Sequence, residues 1–234
     1  MRIREIWRFP VKSLQGEQLD VAEVGPDGIA GDRRLAVFDL DTGFGLTARR
    51  EPRLLAAAAT WQAGRVSIRL PDGATAEDDA ALSAWLGRRV TLRRADEPGP
   101  RRYENPADPE NEADWITWNG PRGPFHDAAQ NRVSLVSTGS LGPWEVRRFR
   151  ANLVLDGAGD EHLVGSRVRV GTAVLEVTKP IPRCVMVTRA QPGGIARDLE
   201  VLRTINRTRG GTLGVGALVV EPGVVRVGDP VEPL

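Results

Sequence analysis

One cysteine, Cys184, stands at the end of the run Lys-Pro-Ile-Pro-Arg-Cys. Two prolines two residues apart stiffen its approach and leave few backbone donors there. Arg183 is its neighbour in the chain. A cation beside a thiol favours thiolate, which is both a nucleophile and a soft metal ligand. A small buried hydrophobe is the alternative reading of a free cysteine. The flank Thr-Lys-Pro-Ile-Pro-Arg is unlike a strand interior and favours a loop at the mouth of a barrel.

Lys12 is the second candidate. Of 32 basic residues, only Lys12 and Lys179 are lysine. Where arginine is the default cation, a compact ammonium with three donors suits a phosphate or a buried anionic atom. Lys12 and Ser13 lie in Phe-Pro-Val-Lys-Ser-Leu-Gln-Gly. A strand ending there projects both at a loop edge, although a solvated surface lysine fits the local sequence equally well. Further donors follow along the chain. Arg33 and Arg34 open an expected strand after Gly31, and alternation turns only one of them inward. Thr47 and Arg49 share a face if Thr-Ala-Arg-Arg-Glu-Pro is a strand. Arg150 and Asn152, two apart in Arg-Arg-Phe-Arg-Ala-Asn, share a face in the same way. A guanidinium beside an amide suits a phosphate plus a heterocycle edge, or else forms a surface cross-strand pair. Many donors, few acids and one thiol are the chemistry of a strongly anionic ligand with a soft metal or a sulfur centre.

The elements that must position these residues read as short, Val-rich strands. Turn signals of Gly, Pro and Asp recur every ten residues or so, which argues for a mainly β fold of α+β type. Glycines inside strands suggest the tight bends of a closed barrel. One helix is expected in Thr-Ala-Glu-Asp-Asp-Ala-Ala-Leu-Ser-Ala-Trp-Leu-Gly, with Thr75 as N-cap and Gly87 as terminator. Ser-Leu-Val-Ser-Thr-Gly-Ser-Leu reads as a strand whose final turn caps a short helix. Residues 88–102 carry six arginines, and residues 103–114 are acidic and Pro-rich. That pair is either an anion-binding stretch with a mobile lid, or a last strand with a solvated loop. It marks the expected boundary between a first lobe, 1–105, and a second, 106–234.

Composition narrows the classes. The chain has 234 residues and a net charge of +1, which gives no reason to expect nucleic acid or a membrane surface. No apolar run approaches the roughly 20 residues of a span. One cysteine excludes an intramolecular disulfide, and two histidines with one cysteine do not make an ordinary zinc site. The N-terminus reads directly as an alternating strand, so a cytoplasmic location is expected.

The ordered set FPVKSLQG, GIAGDRRL, TARREPRL, SLVSTGSL, RFRANLVLDG, PIPRCVMVT and PGVVRVGDPVE spans the whole chain. It resembles the MOSC proteins, relatives of the C-terminal domain of molybdenum cofactor sulfurase. It is most similar to their two-part form, in which an N-terminal MOSC β-barrel-like domain carrying one helix packs on a MOSC-type β-barrel. That form includes the mitochondrial amidoxime-reducing component and its bacterial counterparts. The resemblance implies a molybdenum cofactor (Mo-molybdopterin) whose metal is ligated by Cys184. It implies cofactor contacts from Lys12, Ser13, Arg33, Arg150 and Asn152, and from Ser137 with Thr138 beside it. Thr47, Arg49 and Arg183 join them from the reading of the residues. The family's Phe-Arg-Pro-Asn has Ala151 here in place of the proline, with Arg150 and Asn152 kept. The activity implied is reduction of N-hydroxylated small molecules. With no ferredoxin-like segment or membrane anchor in the sequence, electrons are expected from a separate ferredoxin, cytochrome b5-like protein or flavoprotein reductase. The alternatives are a cofactor or sulfur carrier without turnover and, as a minor one, a pyridoxal phosphate Schiff base on Lys12.

Overall fold

The structure is a computed structural model that describes residues 1–108 and 112–234. In chain order the first half contributes β1 (Ile3–Arg8), β2 (Glu17–Leu19), β3 (Val21–Gly25), β4 (Gly28–Ile29), β5 (Leu35–Asp39), β6 (Ala58–Gln62) and β7 (Arg65–Arg69). Helix α1 (Asp79–Leu86) follows, then β8 (Val90–Arg94), β9 (Arg102–Pro106) and β10 (Trp115–Asn119). The second half contributes β11 (Val133–Ser137), α2 (Thr138–Leu141), β12 (Leu153–Leu155), β13 (Arg167–Val170) and β14 (Ala173–Pro182). It ends with α3 (Glu200–Arg209), β15 (Thr212–Glu221), β16 (Gly223–Arg226) and β17 (Val231–Pro233). The fold is mainly β, as expected, and none of the described helices is long and apolar enough to cross a membrane.

Eight strands form the main sheet in the order β17-β13-β14-β15-β11-β12-β1-β2, curled into a half-barrel with β17 and β2 at its edges. Alternation places Val133, Leu135, Val168, Val170, Leu175, Val215 and Ala217 in its core, and a register shift between Ile3 and Glu5 lets Ile3 and Ile6 join them. A second core lies in the first lobe, where Leu82 and Leu86 of α1 pack with Leu35, Val37, Leu54 and Val90. The lobes are interlocked. β1 pairs with β12, and β3 pairs with β16. The expected boundary at 105/106 falls inside β9, which forms a hairpin with β10 and packs its Tyr103 against Phe38 and Phe125.

Several local expectations change. Helix α1 is capped by Asp78, whose side chain accepts from the Ala81 N–H at 2.8 Å. Thr75 instead bridges to Arg69 and closes the turn after β7. Residues 47–50 form a turn rather than a strand, with Arg50 and Glu51 N–H groups donating to the Thr47 carbonyl at 3.0 and 2.8 Å. Arg33 and Arg150 precede their strands in the left-handed region, at φ 50° and 51°. The start of the expected acidic loop, from residue 103 to 106, belongs to strand Arg102–Pro106, which pairs with Trp115–Asn119 just beyond the loop's expected end; residues 109–111 lie outside the described residues. The Pro-rich flank of Cys184 is the end of β14, and Pro180 and Pro182 pair with β15 there. β13 covers only Ala173–Glu176 of β14, so the missing N–H groups lie on an open edge.

Candidate functional site

The segment Phe9–Gly16 leaves the main sheet between β1 and β2 and threads into the first lobe. The Lys12 N–H donates to the Leu35 carbonyl at 2.8 Å, and the Gln15 N–H to the Ala57 carbonyl at 2.9 Å. This detour carries Lys12 and Ser13 to the seam between the lobes. Gly16 is needed where it returns, since a Cβ there would lie 2.2 Å from the Arg8 carbonyl oxygen. From the other side, β14 ends at Pro182. Cys184 then heads a 3-10 turn over Val185–Thr188, with its thiol half-buried. Between them lies a cavity of about 350 Å³. Three of the four non-glycine residues with positive φ among those described, Ser13, Arg33 and Arg150, line it. Backbone held in such conformations concentrates at functional sites.

Arg49 is the hub. Its Nε donates to Cys184 Sγ at 3.2 Å and its Nη2 to Asp127 Oδ2 at 2.6 Å. Arg189 supports it from behind, donating to the Arg49 carbonyl at 3.0 Å and pairing with Glu112 at 2.6 Å. Lys12 Nζ donates to Asp127 Oδ1 and, at 3.0 Å, to the Phe125 carbonyl. The Tyr103 and Trp118 rings of the β9–β10 hairpin cover it, with centroids 4.9 and 5.7 Å from Nζ. Burial lowers the Lys12 pKa against the pull of Asp127. For Asp127, burial pushes upward, but Arg49 and Lys12 outweigh it and hold the carboxyl well below the usual range. Burial also opposes charge on Arg49, yet Asp127 and Cys184 raise its pKa further.

Deeper in, Arg33 pairs with Asp32 and donates to the Arg150 carbonyl at 3.1 Å. Arg150 lies over Phe9, 4.3 Å from the ring centroid, and donates to the Leu14 carbonyl. Burial, with Arg33 nearby, brings its pKa down to about 9. Arg183 is spent on backbone carbonyls of Leu213 and Phe149, at 2.7 and 3.0 Å, and burial brings it down to about 10.

The cavity thus gathers Lys12, Ser13, Arg33, Arg49, Arg150, Arg183 and Cys184 from the expected set. Four others are not among its lining residues. Ser137 is fully buried and caps α2, accepting from the Ser140 N–H at 3.0 Å. Thr138 exchanges hydrogen bonds with Gly157 on that same turn. Thr47 is buried in the turn ahead of Arg49. Asn152 stands behind the wall, accepting from the N–H and hydroxyl of Ser134 at 3.1 and 2.8 Å and donating to the Trp7 carbonyl at 3.2 Å. Sequence reasoning missed Asp127, His126, Asn105 and Asn131. No local pattern marks them, because the first two lie in an irregular segment that only the lobe interface positions.

The sequence pattern of the MOSC domain matches residues 120–232, and that of the MOSC N-terminal beta barrel domain matches residues 1–117. The chain belongs to the MOSC family. That family comprises molybdenum-cofactor sulfurase-like and cofactor-binding domains. No curated protein matches the chain. Among solved structures, similarity is found to YiiM from Geobacillus stearothermophilus, at 20% identity and TM-score 0.36, over 44% of this chain and 54% of that one. The YUAD protein from Bacillus subtilis is 14% identical, with TM-score 0.46, over 99% of this chain and 94% of that one. A structure titled as a hypothetical protein is 13% identical, with TM-score 0.44, over 100% and 67%.

The donor set fits the cofactor this family is associated with. Cys184 supplies one soft thiol, and the surrounding cations suit a phosphate and anionic metal ligands. Asn105 Oδ1, Asn131 Oδ1 and His126 Nε2 are buried polar atoms with no partner among the described residues, in residues that line the cavity. They suit the hydrogen-bonding edge of a heterocycle.

Proposed function

We propose that this MOSC protein holds a molybdenum cofactor between its lobes and reduces N-hydroxylated small molecules there. One observation carries the reading: a thiol on the wall of a cation-lined cavity, fixed by the Arg49 Nε–H donated to its sulfur. Cys184 would hold the metal, and Lys12, Ser13, Arg33, Arg49, Arg150 and Arg183 would surround the group. When bound, the group supplies two-electron redox chemistry at the metal. The net change breaks one N–O bond, takes up two electrons and two protons, and releases water and the N–H product. A separate electron-transfer protein provides the electrons. The chain's own part is positioning. Arg49 orients the sulfur, the Tyr103 and Trp118 rings close one wall over Lys12, and Ile181, Pro182 and Met186 give the cavity an apolar side for a substrate body.

Metal and pterin analysis of protein made in a cofactor-competent host tests this. Wild type should carry both, and Cys184→Ala should lose at least about tenfold in metal retention, well beyond an ordinary core change. Absence of molybdenum and pterin from wild type and reconstituted protein overturns the reading. Retained cofactor without N–O turnover, under chemical reductant as well as with protein donors, would make the chain a carrier.

A further inference from the structure

We infer that Lys179 forms a subsite at the mouth of the cavity for a carboxylate carried by the substrate, so that the chain favours N-hydroxylated acids over neutral N-hydroxylated compounds. This rests on the proposed function and names the substrate class for the same site. The chain has two lysines, and both line this cavity. Lys12 is buried and bound to Asp127. Lys179 is half-buried and its neighbour Gln130 is exposed, so its ammonium stands where the cavity meets solvent. Its Nζ lies 3.5 Å from Gln130 Oε1, which is long for a hydrogen bond. Among the described residues no carboxylate lies within salt-bridge distance of it. An ammonium has three donors, so most of its capacity remains for a ligand.

The other cations of the cavity are placed differently. Lys12 and Arg49 share Asp127, and Arg33 holds Asp32. Arg183 donates to the Leu213 and Phe149 carbonyls. Arg150 also has no carboxylate within salt-bridge distance among the described residues, but it is buried against the Phe9 ring, away from solvent. An anionic group entering with the substrate therefore meets Lys179 first. The strand β14 also sets the distance from Lys179 to the thiol. Lys179 lies opposite Gly216 of β15, and Thr178 Oγ1 anchors the strand there by donating to the Gln130 and Gly216 carbonyls, each at 3.0 Å. From Lys179 to Pro182 is three steps of strand, roughly 10 Å. Ile181 and Pro182 line the cavity over that distance, ahead of Cys184. A flat apolar body lying on them points its N–O end toward Cys184 and brings its far end within reach of the flexible four-carbon stem of Lys179.

Ligand-observed NMR titration with two unreactive probes, 4-carboxybenzamide and benzamide, tests this on the chain purified from a cofactor-competent host. Wild type should bind the carboxylated probe about fivefold tighter at low salt, the upper end for a partly exposed ion pair. The preference should shrink as added salt screens it. In Lys179→Gln the ratio of the two affinities should fall to about one, in Lys179→Glu it should invert, and Lys179→Arg should keep it. The inference is overturned if Lys179→Gln keeps the preference, or if wild type shows no preference or binds neither probe. It is also overturned if Lys179→Gln loses pterin and molybdenum, which would give the lysine to the cofactor. Neither probe carries an N–O bond, so this result stands apart from the turnover and metal assays of the proposed function.

Discussion

His126 is buried at the seam, and burial, with Arg33 nearby, brings its pKa down to about 3 from the ordinary 6.5. In the unfolded chain it binds a proton near pH 6.5, and in the folded chain only near pH 3. Between those values the unfolded state holds more protons, so stability falls as pH falls through that window. Each unit of separation corresponds to about 1.4 kcal/mol, so the effect amounts to a few kcal/mol. His126→Gln should flatten the dependence of the urea midpoint on pH between about 6.5 and 4. An unchanged slope would place the acid sensitivity elsewhere. Asp127 shows why such residues escape a reading of the sequence. It lies 115 positions from Lys12, in a segment with no periodicity, and only the packed lobes bring the two together.

At the scale of elements, the motif Ser-Leu-Val-Ser-Thr-Gly-Ser-Leu does what its spacing suggests, ending β11 with a serine cap on α2. The capping was legible because it is local. The hydroxyl that accepts in this cap is also the one for which the family resemblance implied a cofactor contact. Ser137→Ala should lower stability by about 1 kcal/mol in urea unfolding. Asn152→Ala should cost more, about 2–3 kcal/mol, because the buried Ser134 N–H and the Trp7 carbonyl lose a partner together. Equal effects from the two would mean that Asn152 does not tie β1 to the β11–β12 pair. The strand expectations around Arg33, Arg49 and Arg150 failed for one reason. Each guanidinium is aimed by a turn or a left-handed residue, which alternation of side chains does not describe.

At the scale of the whole molecule, the two matched regions meet near residues 117–120, yet the sheet ignores that division. β1 and β2 complete the eight-stranded sheet of the second half, and β16 pairs with β3 of the first. Ile3 and Ile6 are fully buried in the second lobe's core. A fragment covering residues 120–234 alone should therefore lack a cooperative thermal transition and expose an open edge at β12. The full chain should unfold in one step, with tryptophan fluorescence and circular dichroism coinciding. A sharp transition of the isolated fragment would show that the half-barrel closes without its N-terminal strands.

What the sequence by itself determined is what local rules determine: short alternating strands, a helix ending at Gly87, the serine cap, and a proline-stiffened approach to one thiol. The ordered motifs also carried the family. What only the tertiary structure decided is which charges meet. Lys12 is one wall of the site because the detour between β1 and β2 crosses to the other lobe. There Asp127 pairs with it and with Arg49 at once. Charge pairing depends on distance through space, and two lobes that exchange strands set those distances far from any spacing along the chain.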